Sequence, residues 1–188
     1  GWEEYEWRWE VNQKETSIGK KISTLKPEWL PKNRGRVLLW GEQGIGDQIL
    51  FASLIPELVE IVDQLIVIVD HRLIPLFKRS FDQRIIYLDP NYIVRENEYD
   101  FHIPMGSVPK LLRNTRESFK KHNQPYLKVD EKKSNILREQ LKDSKYKKII
   151  GISWRSKSKI NEERSLSLEK FLPGIYSQSC CFVNLQYG

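Results

Sequence analysis

Residues 36–62, RVLLWGEQGIGDQILFASLIPELVEIV, decide the fold of this chain. The segment opens with a short apolar run at 36–40 and passes through the glycine-rich loop GEQGIG. From Asp47 onward the apolar residues recur with helical spacing, which predicts one helix over 47–62. The residues expected on its buried face are Leu50, Leu54, Leu58 and Ile61. A strand, a glycine loop and a helix in this order are typical of the opening of a Rossmann-like unit.

The same alternation continues along the chain. Apolar runs at 65–69, 84–88 and 100–104 predict three further strands, and a short helix is expected over 74–80. Strands that are apolar on both faces and separated by helices indicate a parallel sheet covered on both sides. We therefore predict an α/β fold with a Rossmann-like parallel sheet.

The composition suggests three segments. Residues 1–33 combine a short aromatic helix with a polar, proline-containing linker, and residues 34–130 form the Rossmann-like part. Residues 131–188 contain a charged helix, a strand over 147–154, a helix over 168–176 and a strand over 180–185. Because two strands cannot close a core alone, we expect this last segment to be the truncated start of a second half. The missing initiator Met also suggests a piece of something longer.

The first thirty residues hold four of the six tryptophans of the chain. Trp2, Tyr5, Glu6 and Trp9 have helical spacing, with the aromatic residues on one stripe and Arg8 off it. Such a short helix cannot bury this stripe alone. It is expected to pack either on the following domain or on preceding helices.

Composition excludes several classes of protein. A hydrophobic content of 39% and a charged content of 30% are those of an ordinary globular chain. No apolar run approaches a membrane span, and the acidic, aromatic N-terminus is not a signal peptide, so the cytoplasm is the expected compartment. The adjacent Cys180 and Cys181 point to opposite faces of a strand, so we expect small buried apolar residues and neither a disulfide nor a metal site.

The net charge of +6 comes from one stretch. Residues 128–164 contain 12 Lys and Arg against 6 Asp and Glu, which is +6, so the other residues sum to zero. A local basic segment suits a solvated helix or one anionic ligand better than a nucleic-acid-binding face. No nucleic-acid partner is therefore expected.

The glycine loop is the strongest local indication of chemistry. Gly41, Gly44 and Gly46 allow a tight turn and free N–H groups at a helix N-terminus, where a phosphate or a developing anion is favoured. Asp47 lies in the first turn, and it is either a functional carboxylate or only a capping residue. The spacing G-x-x-G-x-G opposes a nicotinamide enzyme, which needs G-x-G-x-x-G, although Asp70 ends the second strand where a ribose-binding acid would lie. A P-loop would need Gly-Lys-Ser/Thr, which is absent.

Five blocks occur in a fixed order: GWEEYEWRW (1–9), WGEQGIGD (40–47), DFHIPMGSVP (100–109), GISWRS (151–156) with RSLSLEKFLP (164–173), and NLQYG (184–188). Together they resemble the glycosyltransferase-like region that follows tetratricopeptide repeats in bacterial proteins. That region is similar to ADP-heptose:LPS heptosyltransferases and, more distantly, to O-GlcNAc transferases. The resemblance implies the GT-B architecture, in which two Rossmann-like halves face each other. It also implies that the first block is the last repeat helix, with preceding repeats as a partner.

The resemblance implies a role for residues of the first half, which mainly binds the acceptor. The aspartate of the Gly-Asp pair, here Asp47, would take the proton of the attacking acceptor hydroxyl. His102 would bind the acceptor or orient Asp47, or it is an ordinary hydrogen-bonded residue of the sheet. The acceptor side of the loop is expected to include Gly44, Gly46, Gln48 and Ser107.

The resemblance also implies that the loop after the strand at 147–154 holds the donor diphosphate. The residues that map onto it are Arg155, Ser156, Lys159 and Arg164. Arginine grips a phosphate through paired hydrogen bonds and lysine contributes a point charge. Trp154 and Arg155 replace the hydroxyl pair of heptosyltransferases, which puts an ADP-heptose donor in doubt. The other interpretation is a solvated basic loop.

We therefore expect transfer of a sugar from a nucleotide-sugar donor to an acceptor glycan or protein. No cofactor is expected, and no metal, because no D-x-D pair is present to hold Mg²⁺. The rival hypothesis is a non-catalytic scaffold, in which repeats recruit a protein partner and the Rossmann-like part keeps only its fold.

Overall fold

The computed structural model describes residues 1–10, 21–122, 124–141, 146–155 and 165–186. The chain divides into two compact units, Gly1–Asp130 and Glu131–Gly188. Each unit is described by itself.

A four-stranded sheet forms the centre of the first unit. Its strands are β1 (Arg36–Trp40), β2 (Gln64–Ile68), β3 (Ile86–Leu88) and β4 (Phe101–Pro104). They lie in the order β3-β2-β1-β4, and every neighbouring pair is parallel. The predicted Rossmann-like α/β fold is confirmed.

The helices follow the strands in the predicted alternation. The α-helices of the first unit are α1 (Trp2–Tyr5), α2 (Ile45–Ala52), α3 (Ile55–Ile61), α4 (Ile74–Ser80) and α5 (Val108–Leu112). Three 3₁₀ helices cover Glu6–Trp9, Met105–Ser107 and Glu117–His122. In the described residues, no helix is long and apolar enough to cross a membrane.

The single helix predicted over 47–62 is wrong. The chain forms α2 and α3 instead, separated at Ser53 and Leu54. Pro56 has no N–H to donate to the carbonyl of Ala52, and its ring crowds that carbonyl, so the helix restarts with the proline in its first turn. The break changes the buried face: Leu54 and Leu58 are buried as expected, whereas Leu50 is 61% exposed.

Side chains of the sheet alternate between two faces. Val37 and Leu39 of β1 point into the main core, where α2, α3 and α4 pack. Leu38 points to the opposite face and packs against Ile66 and Tyr99 in a smaller cluster. Because the strands are parallel and in register, residues paired with Leu38 share its face.

The N-terminal segment packs on the sheet domain, the first of the two alternatives that the sequence left open. Trp2 and Tyr5 lie against the main core, and Trp2 Nε1 donates to the carbonyl of Arg113 at 3.0 Å. Part of the predicted linker also belongs to this unit. Trp29 is buried in the main core, and its N–H donates to the carbonyl of His102 beside β4.

The second unit has the elements that the sequence predicts. Strands β5 (Lys148–Ile152) and β6 (Cys180–Asn184) are parallel neighbours, with helices α6 (Glu131–Gln140) and α7 (Leu168–Ile175). The hydroxyl of Ser167 caps α7 by accepting from the N–H of Lys170. Cys180 and Cys181 are free thiols and only half-buried, whereas the sequence predicts buried side chains at both positions.

An ion pair joins the amino ends of β1 and β4 and yields a prediction. The carboxylate of Asp100 accepts from the backbone N–H of Arg36 at 2.9 Å and from its guanidinium at 2.8 Å. These bonds lower the pKa of Asp100 from 3.8 to about 2. A lowered pKa adds stability above the unfolded value, and this stability is lost as the pH falls from about 4 to about 2.

We expect Arg36→Met to reduce the free energy of unfolding at about pH 6, and only slightly, because the ion pair is partly exposed. The difference from the unmodified protein should shrink as the pH approaches about 3. Urea unfolding at the two pH values measures it. A difference that is independent of pH would contradict the assignment to Asp100.

Candidate functional site

The carboxyl edge of the sheet is the natural place for a site. β2 lies on one side of β1 and β4 on the other, so the strand order reverses at β1. Open α/β sheets bind ligands in the crevice formed at such a point. Here the loop from Gly41 to Gly44 follows β1, the turn at Met105–Ser107 follows β4, and the N–H of Gly106 donates to Glu42 of the loop. We call the region between this loop and this turn the crevice.

A buried carboxylate, Glu42, lies in this crevice. It is 4% exposed, and its Oε1 accepts from the N–H of Gly106 at 3.0 Å and from Nε2 of Gln43 at 3.3 Å. Burial raises the pKa of Glu42, and the hydrogen bonds and the charge of Arg8 oppose that rise. Gly106 is required by space, because a Cβ at this position would lie 2.4 Å from Glu42 Oε1.

The partner of Glu42 comes from the N-terminal segment. Arg8 is 7% exposed, and its Nη2 lies 3.3 Å from Glu42 Oε1 and 2.7 Å from the hydroxyl of Ser107. Its Nη1 donates to Glu6 at 2.7 Å, and Ser107 also donates to Glu6 at 2.9 Å. We call these four side chains (Arg8, Glu42, Ser107 and Glu6) the Arg8 network. Ser107, predicted on the acceptor side, is thus occupied by the protein itself.

Two aromatic rings enclose the guanidinium of Arg8. Its central carbon lies 4.7 Å from the ring centroid of Tyr5 and 4.7 Å from that of Trp9. Trp9 in turn contacts Trp40 at the end of β1, with ring centroids 5.8 Å apart. The N-terminal segment therefore forms one wall of the crevice through both polar and aromatic contacts.

The glycine loop is held from several sides. The N–H of Gly41 donates to the carbonyl of Ile68. The prediction that this N–H is free for a ligand is therefore wrong. Gln48 is buried; its Nε2 donates to the carbonyl of Gln43 at 2.8 Å, and its Oε1 accepts from the N–H of Asp70 at 2.9 Å. Gln48 therefore joins the loop to the end of β2 and does not face an acceptor. Gly44 and Gly46 are exposed.

Asp47 is half-buried in the first turn of α2. The N-cap of this helix is Gly44, and the cap makes no side-chain hydrogen bond. Within the ranges that the structure describes, the carboxylate of Asp47 accepts no hydrogen bond and forms no ion pair. It lies close enough to Tyr5 for its charge to add to the rise in the pKa of that phenol, a rise that burial dominates.

His102 lies apart from Asp47. It pairs with Leu38 and therefore points to the sheet face opposite to α2. Its Nδ1 accepts from Nε1 of Trp40 at 3.4 Å, and burial lowers the pKa of its imidazole. This arrangement fits the alternative that His102 is a hydrogen-bonded residue of the sheet, and it does not bring His102 to Asp47.

A cavity of about 250 Å³ lies on the His102 side of the sheet, at the carboxyl ends of β1 and β2. Leu38 and Ile68 line its apolar part, the aromatic walls are Trp40, Tyr92 and Tyr99, and Glu42 lies at its edge. The volume is slightly below the roughly 300 Å³ at which small-molecule sites begin. Asp47 does not line it. A larger hollow of about 580 Å³ runs along α7, but its walls come from that helix and its end alone.

Of the predicted donor-binding residues, one is described. Arg155 follows β5 and is exposed; its backbone N–H donates to Gln186 Oε1 at 2.9 Å and its carbonyl accepts from Gln186 Nε2 at 3.2 Å. Ser156, Lys159 and Arg164 lie outside the described residues. Among the described residues no group of three His, Cys, Asp or Glu side chains forms a potential metal site.

Neither Arg8 nor Glu42 is marked as a site residue by its local sequence pattern. Glu42 is part of the glycine loop, but a glutamate in a polar loop is ordinarily solvated, and nothing local marks it as buried. Arg8 stands between two tryptophans, and only this aromatic neighbourhood hinted that its guanidinium is enclosed.

Comparison with known proteins finds a relative of the chain. It is similar to protein FlbA of Caulobacter vibrioides, with 30% identity over an alignment 209 residues long. The alignment covers 100% of this chain and 34% of FlbA. The chain thus spans about a third of the length of that relative. No family model matches the chain, and no solved structure matches it. The function therefore has to be argued from the site.

The two glycines of this region give a matched test of the crevice. In Gly106→Ala the new Cβ would meet Glu42 Oε1 at 2.4 Å, so we expect a loss of about 1–3 kcal/mol in the free energy of unfolding. In Gly46→Ala the Cβ meets nothing within 4 Å inside a helix, so a gain of about 0.5–1 kcal/mol is expected. Denaturant unfolding compares the two. Equal effects would mean that Gly106 is not packed against Glu42.

Proposed function

We propose that the full-length protein is a metal-independent glycosyltransferase of GT-B type, in which this chain contributes the acceptor-side half and the beginning of the nucleotide-sugar-binding half. The acceptor is a glycan or a protein. The confirmed part of this proposal is the Rossmann-like sheet, which many unrelated functions share. The proposal therefore depends on the side chains at its carboxyl edge.

The observation that carries the proposal is the state of Asp47. A carboxylate in the first turn of a helix favours the positive end of the helix dipole, and within the described residues Asp47 adds no capping hydrogen bond to this effect. Within the described residues, its oxygens have no hydrogen-bonding partner, beside an exposed glycine pair at the edge where such sheets bind ligands. A carboxylate that is half-buried and unengaged is suited to accept a proton from an acceptor hydroxyl.

The mechanism that follows is a direct displacement. As the acceptor oxygen attacks the anomeric carbon, its proton passes to a carboxylate oxygen of Asp47, and the bond from the anomeric carbon to the diphosphate breaks. The departing nucleoside diphosphate takes the electron pair and needs positive charge around it. Arg155 offers an exposed guanidinium after β5, and Lys159 and Arg164 are the further cations of that loop.

One observation favours the rival function, a non-catalytic scaffold. The Arg8 network joins the loops after β1 and β4, and it engages Glu42 Oε1 and the hydroxyl of Ser107 in bonds within the protein. A scaffold needs no ligand site at this edge, so the network alone accounts for these residues. In an enzyme the acceptor must enter beside it, over Gly44 and Gly46. Nucleotide-sugar binding by the full-length protein separates the two functions.

The first functional prediction concerns Asp47→Asn. This change keeps the shape of the side chain and removes its basic oxygen, so nucleoside diphosphate release from a nucleotide-sugar should fall by about two to four orders of magnitude. The assay is turnover of UDP-, GDP- and ADP-sugars by the full-length protein.

Asp63→Asn is the matched control, since Asp63 is an exposed aspartate at the amino end of β2 that pairs with Arg34. It should leave turnover unchanged, and both variants should keep their melting temperature within a few degrees. Normal turnover by a folded Asp47→Asn protein would remove Asp47 from the mechanism.

The second functional prediction concerns the donor. Arg155→Ala and Lys159→Ala should each weaken nucleotide-sugar binding about tenfold or more, since a hydrogen bond to a charged group contributes about 1.5–3 kcal/mol. Salt should reduce the effect, because exposed charges are screened. Lys148→Ala, which removes an exposed lysine on β5, is the control. Calorimetric titration that finds equal affinity in all the variants would exclude this loop from the donor site.

A further inference from the structure

Arg8 is an unusual residue to find at the end of a β-sheet. It comes from a short segment that precedes the sheet domain, yet it reaches both loops that bound the crevice: Glu42 after β1 and Ser107 after β4. The same guanidinium also returns to its own segment, where it donates to the carbonyl of Tyr5 at 3.1 Å. One planar group thus holds three parts of the chain at fixed separations.

Burial of this group is costly. Removing an arginine and a glutamate from water costs several kcal/mol for each ion, and only well-directed hydrogen bonds offset it. Here the offset is incomplete, because Nε of Arg8 is buried without a hydrogen-bonding partner in the described part of the chain. Apolar side chains of similar size would often join the three parts of the chain at lower cost. The charged group adds directional contacts that fix the loops relative to each other.

A second contact ties the same segment to the glycine loop. Gln43 Nε2 donates to the hydroxyl of Tyr5 at 2.7 Å, and Tyr5 lies within electrostatic reach of Asp47. The loop from Gly41 to Gly46 is therefore bonded to the N-terminal segment at two successive residues, Glu42 and Gln43. Four residues further along, the same backbone carries Asp47.

We propose that Arg8 is a positioning residue: through Glu42 and Ser107 it sets the conformation of the glycine loop and thereby the place of the Asp47 carboxylate. The first part concerns the loop alone, and the second part rests on the proposed glycosyl transfer. In this arrangement the N-terminal segment belongs to the site, and Arg8 does not touch the reacting atoms.

Hydrogen–deuterium exchange of the full-length protein tests the first part. Arg8→Lys keeps the charge but cannot reach Glu42, Ser107 and Glu6 together, and Ser107→Ala removes one contact from the network. We expect amide exchange in peptides covering 41–48 and 105–107 to become at least about tenfold faster in Arg8→Lys, with a smaller increase in Ser107→Ala. Exchange in β2 should not change. Arg34→Lys, the same substitution in an exposed ion pair with Asp63, is the control and should alter neither region.

Two outcomes of this experiment overturn the proposal. One is unchanged exchange at 41–48 in Arg8→Lys. The other is an increase of equal size in β2, which would mean that Arg8 stabilises the whole domain and positions nothing in particular. Ser107→Ala keeps the test decisive if Arg8→Lys does not fold, since it leaves both buried charges in place.

Turnover tests the second part. With UDP-, GDP- and ADP-sugars as probes, Arg8→Lys should lower kcat at least about tenfold and leave KM for the donor unchanged, because the donor is bound elsewhere. In an Asp47→Asn background, Arg8→Lys should lower kcat no further, because the carboxylate that Arg8 positions is already missing from this variant. Altered exchange with normal kcat would remove the link to Asp47. If the unmodified protein turns over none of these donors, the proposed function fails while the exchange data still decide the role of Arg8.

Discussion

β1 is paired on both sides from Val37 to Trp40, and this constraint organises the first unit. Because β2 and β4 are both parallel to β1, the three carboxyl ends meet at one edge of the sheet. Parallel strands need crossover connections, which supply α2, α3 and α4 for one face. The loops that leave β1 and β4 meet at that edge, where the N–H of Gly106 donates to Glu42.

The contents of the crevice distinguish this protein from a bare Rossmann-like scaffold. A charged pair is buried there, and one of its members, Arg8, belongs to a segment outside the sheet. The segment that contains Arg8 is therefore attached at the edge where open α/β sheets bind ligands. Beside the Arg8 network at this edge lies Asp47, a carboxylate that accepts no hydrogen bond within the described residues.

This arrangement also bears on the choice between an enzyme and a scaffold. A scaffold would retain the packing of Arg8 but has no need for an unengaged carboxylate at the start of α2. An enzyme needs that carboxylate held at a defined place, which the tie between the N-terminal segment and the glycine loop would provide. Both hypotheses agree with the similarity to FlbA, whose longer chain contains a counterpart of this whole region. The difference between them lies in Asp47 and in the cations that follow β5.

Local patterns in the sequence were sufficient to predict the strands, their parallel direction and the start of α4, because apolar runs of this length with helices between them have few ways to be buried. The position of Asp47 after a glycine turn was equally predictable. Pro56 is a local indication of the break between α2 and α3. The prediction was wrong because the apolar residues keep helical spacing across the break.

What only the tertiary structure decided is which polar groups are engaged. Arg8, Glu42 and Ser107 are separated by 34 and 65 positions along the chain, and their hydrogen bonds exist because the sheet brings two loop ends and the N-terminal segment together. His102 and Asp47 seemed to be partners in sequence terms, yet strand alternation turns His102 to the other face. Periodicity and residue type predict the helix or strand to which a side chain belongs. The partner of a buried charge depends on how distant elements pack against each other, which the local sequence does not encode.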